Sequence, residues 1–277
     1  MRVALAQICS GREVTDNLAL IRERVAEAAD QGARLVVFPE ATMRSFGHNL
    51  TSIAEPIDGP FGSAVGELAD EFGLTIFVGM FTPAQDSPTG QPKVRNTVLV
   101  ATGAGPAGSK GPRLRGYDKI HLYDAFGFAE SDSVEAGAEA LRVEVDGVTV
   151  GVAICYDIRF PQLFIDHARA GARVIVVPTS WGSGPGKIEQ WELLARARAL
   201  DSTSWVLACG QADPAASGVE AKAGAPTGVG HSLIASPTGA VVAAAGAAPE
   251  LLVIDIVPEA ADEARTTIPV LANARLS

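Results

Sequence analysis

The chain has 277 residues, 47% of them hydrophobic, enough to bury a large core as one α/β domain or two smaller ones. A formal net charge of −10 argues against nucleic acid or an anionic membrane surface as a partner. No apolar run approaches the roughly 20 residues of a membrane span, and no basic leader precedes the opening MRVALAQI, so a cytoplasmic protein is expected. Cys9, Cys155 and Cys209 are odd in number and form no CxxC pair, and the four histidines are isolated. Neither disulfides nor a metal are expected to organise the chain, and no cofactor is implied.

The apolar pattern predicts a strand at 2–8, then a helix over 16–31, whose Leu18, Ile21, Val25, Ala28 and Ala29 follow the 3.6 period. Gly32 ends that helix, and a buried strand at 34–38 stops at Pro39-Glu40. Ser63 reads as the cap of a helix closed by Gly73, followed by a strand at 74–79. A Pro/Gly-rich loop at 83–92, a strand at 95–101 and a Gly-rich, basic loop at 102–116 lead into YDKIHLYD. Strands at 141–145 and 148–154 flank Asp146-Gly147, a strong hairpin signal. A helix at 161–170, a strand at 173–177, a Gly-rich loop and a long helix at 187–201 follow. Strand-like segments at 204–210, 231–235, 240–244 and 251–256 complete the sheet content.

Two stretches echo each other. GARLVVFPE and GARVIVVPT are each preceded by a helix and, before that, by a strand ending in cysteine, ALAQIC and GVAIC. Repeated βαβ units predict two similar sheets packed face to face in one four-layer α-β-β-α sandwich spanning 1–277.

The stretch VTVGVAICYDIRFPQL carries the sharpest chemical signal. A continuous apolar run stops at Cys155-Tyr156-Asp157, and Pro161 opens a helix. A cysteine at a strand's carboxyl end, where open sheets place ligands, is either a nucleophile or a buried structural thiol. Glu40 ends another strand, where it is a catalytic acid or a simple cap. Lys119 sits in a loop, poised for chemistry or merely solvated. Taken singly, each residue leaves both readings open.

Together these motifs resemble the nitrilase, or carbon–nitrogen hydrolase, superfamily: VVFPEA, YDKIHLYD and GVAICYDIRFPQL stand in order, each at a strand end. FAESDSVEAG, PTSWG with WELLARARALD, and GVGHSLIASPTGAVV resemble its amidase branch, in particular ω-amidases and deaminated glutathione amidases. The resemblance implies the four-layer sandwich and a catalytic Glu40, Lys119 and Cys155. It maps the family's second glutamate to Glu130, with Glu135 close by as the competing position. It also implies a thioester intermediate, an oxyanion held by Lys119 and the Tyr156 backbone N–H, and a homodimer paired through 161–170 and 187–201.

The chemistry explains the residue types. An amide is a poor electrophile, so a thiolate that forms a thioester divides the hydrolysis into two easier steps. Glu40 would take the thiol proton and pass it to the departing ammonia, and the lysine ammonium would hold the oxyanion. Tyr117 and His121 read as loop-fixing residues, and Asp157 as a pin for the turn. Arg159 is expected to pin the turn too or to meet a substrate carboxylate, while Trp181 forms a pocket wall. Arg44 lies where the family's specificity residues fall; Arg113 and Arg115 are further candidates for a carboxylate. Cys9 and Cys209 read as buried small hydrophobes. The function expected is a cysteine-dependent amidase cleaving the terminal amide of a small, carboxylate-bearing metabolite. An N-carbamoyl amino acid or amine hydrolase, or a nitrilase, is the alternative of the same fold. A non-catalytic binding homologue is the alternative of another class.

Overall fold

In the first half of the chain the apolar period changes from two to 3.6 and back, which produces strand, helix, strand in succession. The computed structural model describes residues 1–84, 92–103, 113–125, 127–219 and 224–275. Strand β1 (Arg2–Gln7) leads into helix α1 (Val14–Asp30), strand β2 (Leu35–Val37), helix α2 (Pro60–Phe72) and strand β3 (Thr75–Pro83). These three strands lie side by side and parallel. Two antiparallel strands, β4 (Val94–Thr102) and β5 (Leu114–Asp118), extend the sheet beyond β3. A short hairpin, β6 (Asp124–Ala125) and β7 (Phe128–Ala129), then crosses to the second half.

There the plan repeats. β8 (Arg142–Val145) pairs antiparallel with β9 (Val148–Val152), and helix α3 (Pro161–Arg169), strand β10 (Val174–Thr179), helix α4 (Lys187–Ser202) and strand β11 (Trp205–Gly210) follow. β12 (Leu233–Ala235) and β13 (Val241–Ala244) add antiparallel edges, and β14 (Glu250–Asp255) returns to pair with β1. Helices α5 (Ala260–Thr267) and α6 (Val270–Asn273) end the described chain. The two 6-stranded sheets run β14-β1-β2-β3-β4-β5 and β13-β12-β11-β10-β9-β8. The echoing stretches GARLVVFPE and GARVIVVPT therefore hold equivalent places, β2 and β10, each between two parallel neighbours.

Alternation along the strands sets the layers. Val3, Leu5, Leu35, Val37 and Phe77 join one apolar cluster with Val150, Val152 and Val176 of the second sheet and with Trp191 and Ala195 of α4. Their neighbours Ala4, Ala6, Val36, Phe38, Ile76 and Val78 pack instead with Ile21 and Val25 of α1 and Phe61 and Val65 of α2. Helices, sheet, sheet, helices is the result, as expected from the sequence. Each Val, Leu, Ile or Phe among them stabilises by about 1.5–3 kcal/mol relative to exposure, so a one-residue slip that exchanged the faces would forfeit most of the core.

Two local expectations are corrected. α2 starts at Pro60 behind Gly59, and Ser63 lies one turn inside it, its hydroxyl donating to the Asp58 carbonyl at 3.0 Å. Proline lacks the N–H that a first turn leaves unpaired and has the helical φ built in, so it, and not the serine, sets the boundary. The end of the stretch read as loop, 102–116, contributes β5, because pairing with β4 outweighs its polar, Gly-containing composition. The centres of that loop and of the 83–92 loop lie outside the described residues. α5 and α6 had no counterpart in the sequence reading. Among the described residues no helix is long and apolar enough to cross a membrane.

α3 is fastened to β9 by a buried histidine. His167 is fully buried, its Nε2 donates to the Val152 carbonyl at 2.9 Å, and Arg142 Nη1 lies 3.4 Å from Nδ1. These partners assign the neutral tautomer with the proton on Nε2. A Cβ at Gly151 would come within 2.7 Å of the imidazole, so only glycine lets the ring lie there. Burial pushes the His167 pKa down to about 4. Between that value and the ordinary value near 6.5 the unfolded chain binds a proton that the folded chain excludes, so stability rises with pH across this window. On acidification from pH 6.5 to about 4, His167 should remove about 3 kcal/mol of stability. Denaturant titrations should show a shallower slope for His167→Gln in this window; an unchanged slope would contradict the assignment.

Candidate active site

Open sheets gather ligands at the carboxyl ends of their parallel strands, and three such ends meet here. β9 runs out at Val152, and Cys155 opens a 3₁₀ turn, Cys155–Arg159, that hands the chain to Pro161 and α3. Cys155 has φ +44, a conformation that costs a non-glycine residue about 1–3 kcal/mol and persists only when its surroundings enforce it. Asp157 supplies that enforcement from a fully buried position. Its Oδ2 accepts from the Ile154 N–H at 2.9 Å and the Tyr117 hydroxyl at 2.8 Å. Its Oδ1 accepts from the His121 N–H at 3.0 Å and lies 2.7 Å from His121 Nδ1. Tyr117 and His121 thus fix the turn through Asp157. The first N–H bonded inside the turn is that of Asp157, to the Ile154 carbonyl at 2.9 Å, so the Tyr156 N–H lies ahead of the internal ladder, where a turn offers donors to a ligand.

Glu40 follows β2 on a tight loop in which Ala41 has φ +57. Gly79 of β3 makes room for it, since a Cβ there would come within 2.6 Å of the Ala41 nitrogen and 2.7 Å of the Pro39 oxygen. Gln211 Nε2 holds the Glu40 carbonyl at 3.0 Å. Lys119 follows β5, its N–H bonded to the Asn96 carbonyl at 2.9 Å. Glu130 follows the β6–β7 hairpin in a single 3₁₀ turn. These three charged side chains are almost wholly buried. Lys119 Nζ donates to Glu40 Oε1 at 2.9 Å and to Glu130 Oε2 at 2.8 Å. Ser180, after β10, gives its N–H to Glu40 Oε2 at 2.8 Å, and the Tyr123 N–H reaches Glu130 Oε2 at 2.7 Å. Asn96 Nδ2 bridges the two carboxylates, at 2.7 Å from Glu40 Oε1 and 2.9 Å from Glu130 Oε1. Cys155 Sγ lies 3.9 Å from the Ser180 carbonyl.

Electrostatics follow from this arrangement. Burial opposes the Lys119 ammonium, but Glu130 and Glu40 more than offset it and hold its pKa well above the ordinary value. Burial pushes the Glu40 carboxyl up, Lys119 and Asn96 oppose that, and Glu130 adds to it. The Cys155 thiol is driven well above its ordinary value, first by burial and then by Glu40, against the pull of Lys119. Burial and the neighbouring Glu40 thus both favour the thiol form of Cys155.

A recess of about 390 Å³, open mouth included, exposes this group. Its lining includes Glu40, Lys119, Glu130, Cys155, Tyr156, Arg159, Trp181 and Lys187. Trp181 forms one wall, anchored by its Nε1 to the Lys187 carbonyl at 2.8 Å. The Arg159 guanidinium lies 5.2 Å over the Trp181 ring and bonds Gln190 Oε1 at 2.8 Å, and Lys187 Nζ stands 6.0 Å from the same ring. Arg44 is not brought in: it is spent on the carbonyls of Arg12 at 2.8 Å and Asn49 at 2.9 Å and on Ser52 at 3.0 Å, where it ties a loop down. Arg113 pairs with Asp70 and Arg115 holds the Arg142 carbonyl at 3.0 Å, so of the four candidate arginines only Arg159 lines the recess. Glu135 pairs with Arg95 at 2.6 Å, which leaves Glu130 at Lys119. Cys209 is fully buried between the sheets and bonds the Val37 carbonyl at 3.1 Å, whereas Cys9 is only half-buried.

Asn96, Ser180 and Lys187 escaped the sequence reading. Asn96 had a visible signal, a polar residue inside the apolar run of β4; Ser180 and Lys187 had none. Among the described residues no group of three His, Cys, Asp or Glu side chains is arranged to hold a metal.

Comparison with known proteins gives a consistent picture. The sequence profile of the family described as Carbon-nitrogen hydrolase matches residues 2–266. The chain is 55% identical over 275 residues to Hydrolase Rv0480c of Mycobacterium tuberculosis, covering 99% of this chain and 95% of that protein. It is 33% identical over 281 residues to the deaminated glutathione amidase of Escherichia coli O157:H7, covering 100% of this chain and 98% of that one. Among solved structures it superimposes on Nit3 of Saccharomyces cerevisiae, a member of branch 10 of the nitrilase superfamily. That match has a TM-score of 0.80 at 26% identity and covers 98% of this chain and 94% of Nit3. A profile match across nearly the whole chain and the shared two-sheet fold place the protein in the carbon–nitrogen hydrolase family, with amidases among its relatives.

Proposed function

We propose that the protein hydrolyses the terminal carboxamide of a small, carboxylate-bearing metabolite, with Cys155 as nucleophile, Glu40 as general base and acid, and Lys119 as oxyanion donor. The observation that carries this reading is the Cys155 thiol on an enforced turn, beside a buried Lys119 held between two carboxylates. In the first step sulfur bonds to the amide carbon as its proton passes to Glu40. Lys119 and the Tyr156 N–H stabilise the negative oxygen of the tetrahedral intermediate. Glu40 returns the proton to nitrogen, ammonia leaves and a thioester remains. Glu40 then takes a proton from water, which attacks the thioester, and the thiol is restored as the acid departs. A carboxyl group raised toward neutrality, as burial raises Glu40, suits a residue that both takes and returns a proton.

Cys155→Ala should abolish ammonia release while leaving the thermal melt nearly unchanged, and iodoacetamide should label Cys155 before Cys9. Lys119→Met should lower kcat by about 10²–10³, the loss expected for one oxyanion donor. It should also lower the melting temperature, since two carboxylates are left buried without their cation. Full activity in either variant, followed by ammonia release, would refute these roles.

The substrate class rests on Arg159 and Lys187, two cations beside the wall of an otherwise acidic protein. A guanidinium grips a carboxylate through paired N–H donors and so fixes the distance from anchor to amide. The recess shares Tyr123, Gly182, Lys187 and Pro226 with an outer bay, which supports substrates extending past the anchor. Ammonia release should be fastest on ω-amides of dicarboxylates or on deaminated glutathione, ahead of N-carbamoyl amino acids and nitriles. Methyl esterification of the carboxylate remote from the amide should cost about tenfold or more in kcat/KM, equal to about 1.4 kcal/mol. Arg159→Ala should erase that difference. Equal rates for acid and ester in the wild type would show that no carboxylate is read.

A further inference from the structure

Asn96 sits on β4 at 1% exposure, and both hydrogens of its Nδ2 are engaged, one by Glu40 Oε1 at 2.7 Å and one by Glu130 Oε1 at 2.9 Å. Lys119 Nζ joins the same two carboxylates from the other side, at 2.9 Å and 2.8 Å. The four side chains form a closed ring of hydrogen bonds. Asn96 Oδ1, by contrast, is buried and accepts nothing among the described residues. An unsatisfied buried oxygen is destabilising, so the amide is kept here for its donors and not for its oxygen.

Charged side chains do not fit this position. Aspartate would face two carboxylates with a third acceptor. Lysine or arginine would add a second cation and cancel the net negative charge that the ring carries when both glutamates are ionised. A primary amide alone offers two donors to two carboxylates and changes no charge.

We propose that Asn96 is a positioning residue for Glu40. By sharing Oε1 with Lys119 it locks the carboxylate plane and leaves Oε2, which accepts the Ser180 N–H at 2.8 Å, to receive the thiol proton. This rests on the catalytic roles proposed above. The ring gives a second consequence: Asn96 opposes the burial that pushes the Glu40 carboxyl up, so its removal must raise that group further.

The test follows the pH dependence of Cys155 alkylation by iodoacetamide, read by mass spectrometry of the Cys155 peptide, in wild type, Asn96→Asp and Asn96→Ser. This readout needs no knowledge of the natural substrate, so a wild type that releases no ammonia from any amide would defeat the functional reading alone. Loss of one hydrogen bond to a carboxylate should move the acid limb of the alkylation profile up by about one pH unit. Asn96→Asp should move it further than Asn96→Ser, whose hydroxyl keeps one donor. A limb that stays in place in either folded variant would overturn the proposal and leave Asn96 a packing residue. Wild type itself provides a readout that depends on neither variant folding. In isotope-labelled protein the Asn96 side-chain N–H resonances should titrate with the same midpoint as the alkylation limb; resonances that do not move would equally overturn it.

Discussion

The structure depends on one buried cation, Lys119, held between Glu40 and Glu130 at 2.9 Å and 2.8 Å with all three side chains almost wholly out of water. Taking each such ion from water carries a penalty of several kcal/mol even after the protein relaxes. The penalty is offset only because every group is met by further donors: Asn96 on both carboxylates, the Ser180 N–H on Glu40 and the Tyr123 N–H on Glu130. Those groups come from β4, from the ends of β2, β5 and β10, and from the β6–β7 hairpin. The cluster can form only when both sheets are in register, which makes it as much a constraint on the fold as a product of it.

Cys155 inherits its chemistry from that cluster. A thiolate would add negative charge to a buried site that already holds two glutamates. Burial and Glu40 accordingly hold the sulfur protonated. In the proposed mechanism the nucleophile is generated only as its proton leaves, which is why the carboxylate must be placed and not merely nearby. The positive φ of Cys155 serves the same end, pointing the residue into the recess at a turn held by Asp157, Tyr117 and His121.

Much of this was legible in the sequence, for reasons that differ from residue to residue. Glu40 and Cys155 each end a strand-like run, and strand ends are where an α/β sheet presents chemistry; Lys119 was marked by its YDKIHLYD motif, because the strand before it read as loop. The repeated GARxxVxP stretches displayed the pseudo-symmetry that puts the ends of β2 and β10, followed by Glu40 and Ser180, at equivalent edges. Glu130 and Glu135 were not separable by spacing, because what distinguishes them is Arg95 from a distant strand, which occupies Glu135. The four loop arginines were equally ambiguous: Arg44 is consumed by backbone carbonyls, and only the fold reveals that. Asn96 was marked only as a polar residue inside an apolar run, and Ser180 meets Glu40 from 140 residues away, so no local pattern showed what either one holds. The start of α2 and the presence of β5 were misplaced where a proline boundary and a strand pairing overrode local composition.

The claim most exposed to test is that Cys155 rests as a thiol beside Glu40. The S–H stretching vibration reports the thiol directly, and a difference spectrum of wild type minus Cys155→Ala at pH 8 isolates this residue from Cys9 and Cys209. A protonated resting sulfur predicts an S–H band present in wild type and missing from the variant. A spectrum with no such band, together with thiolate absorbance in the ultraviolet that the variant lacks, would show a preformed thiolate and contradict it.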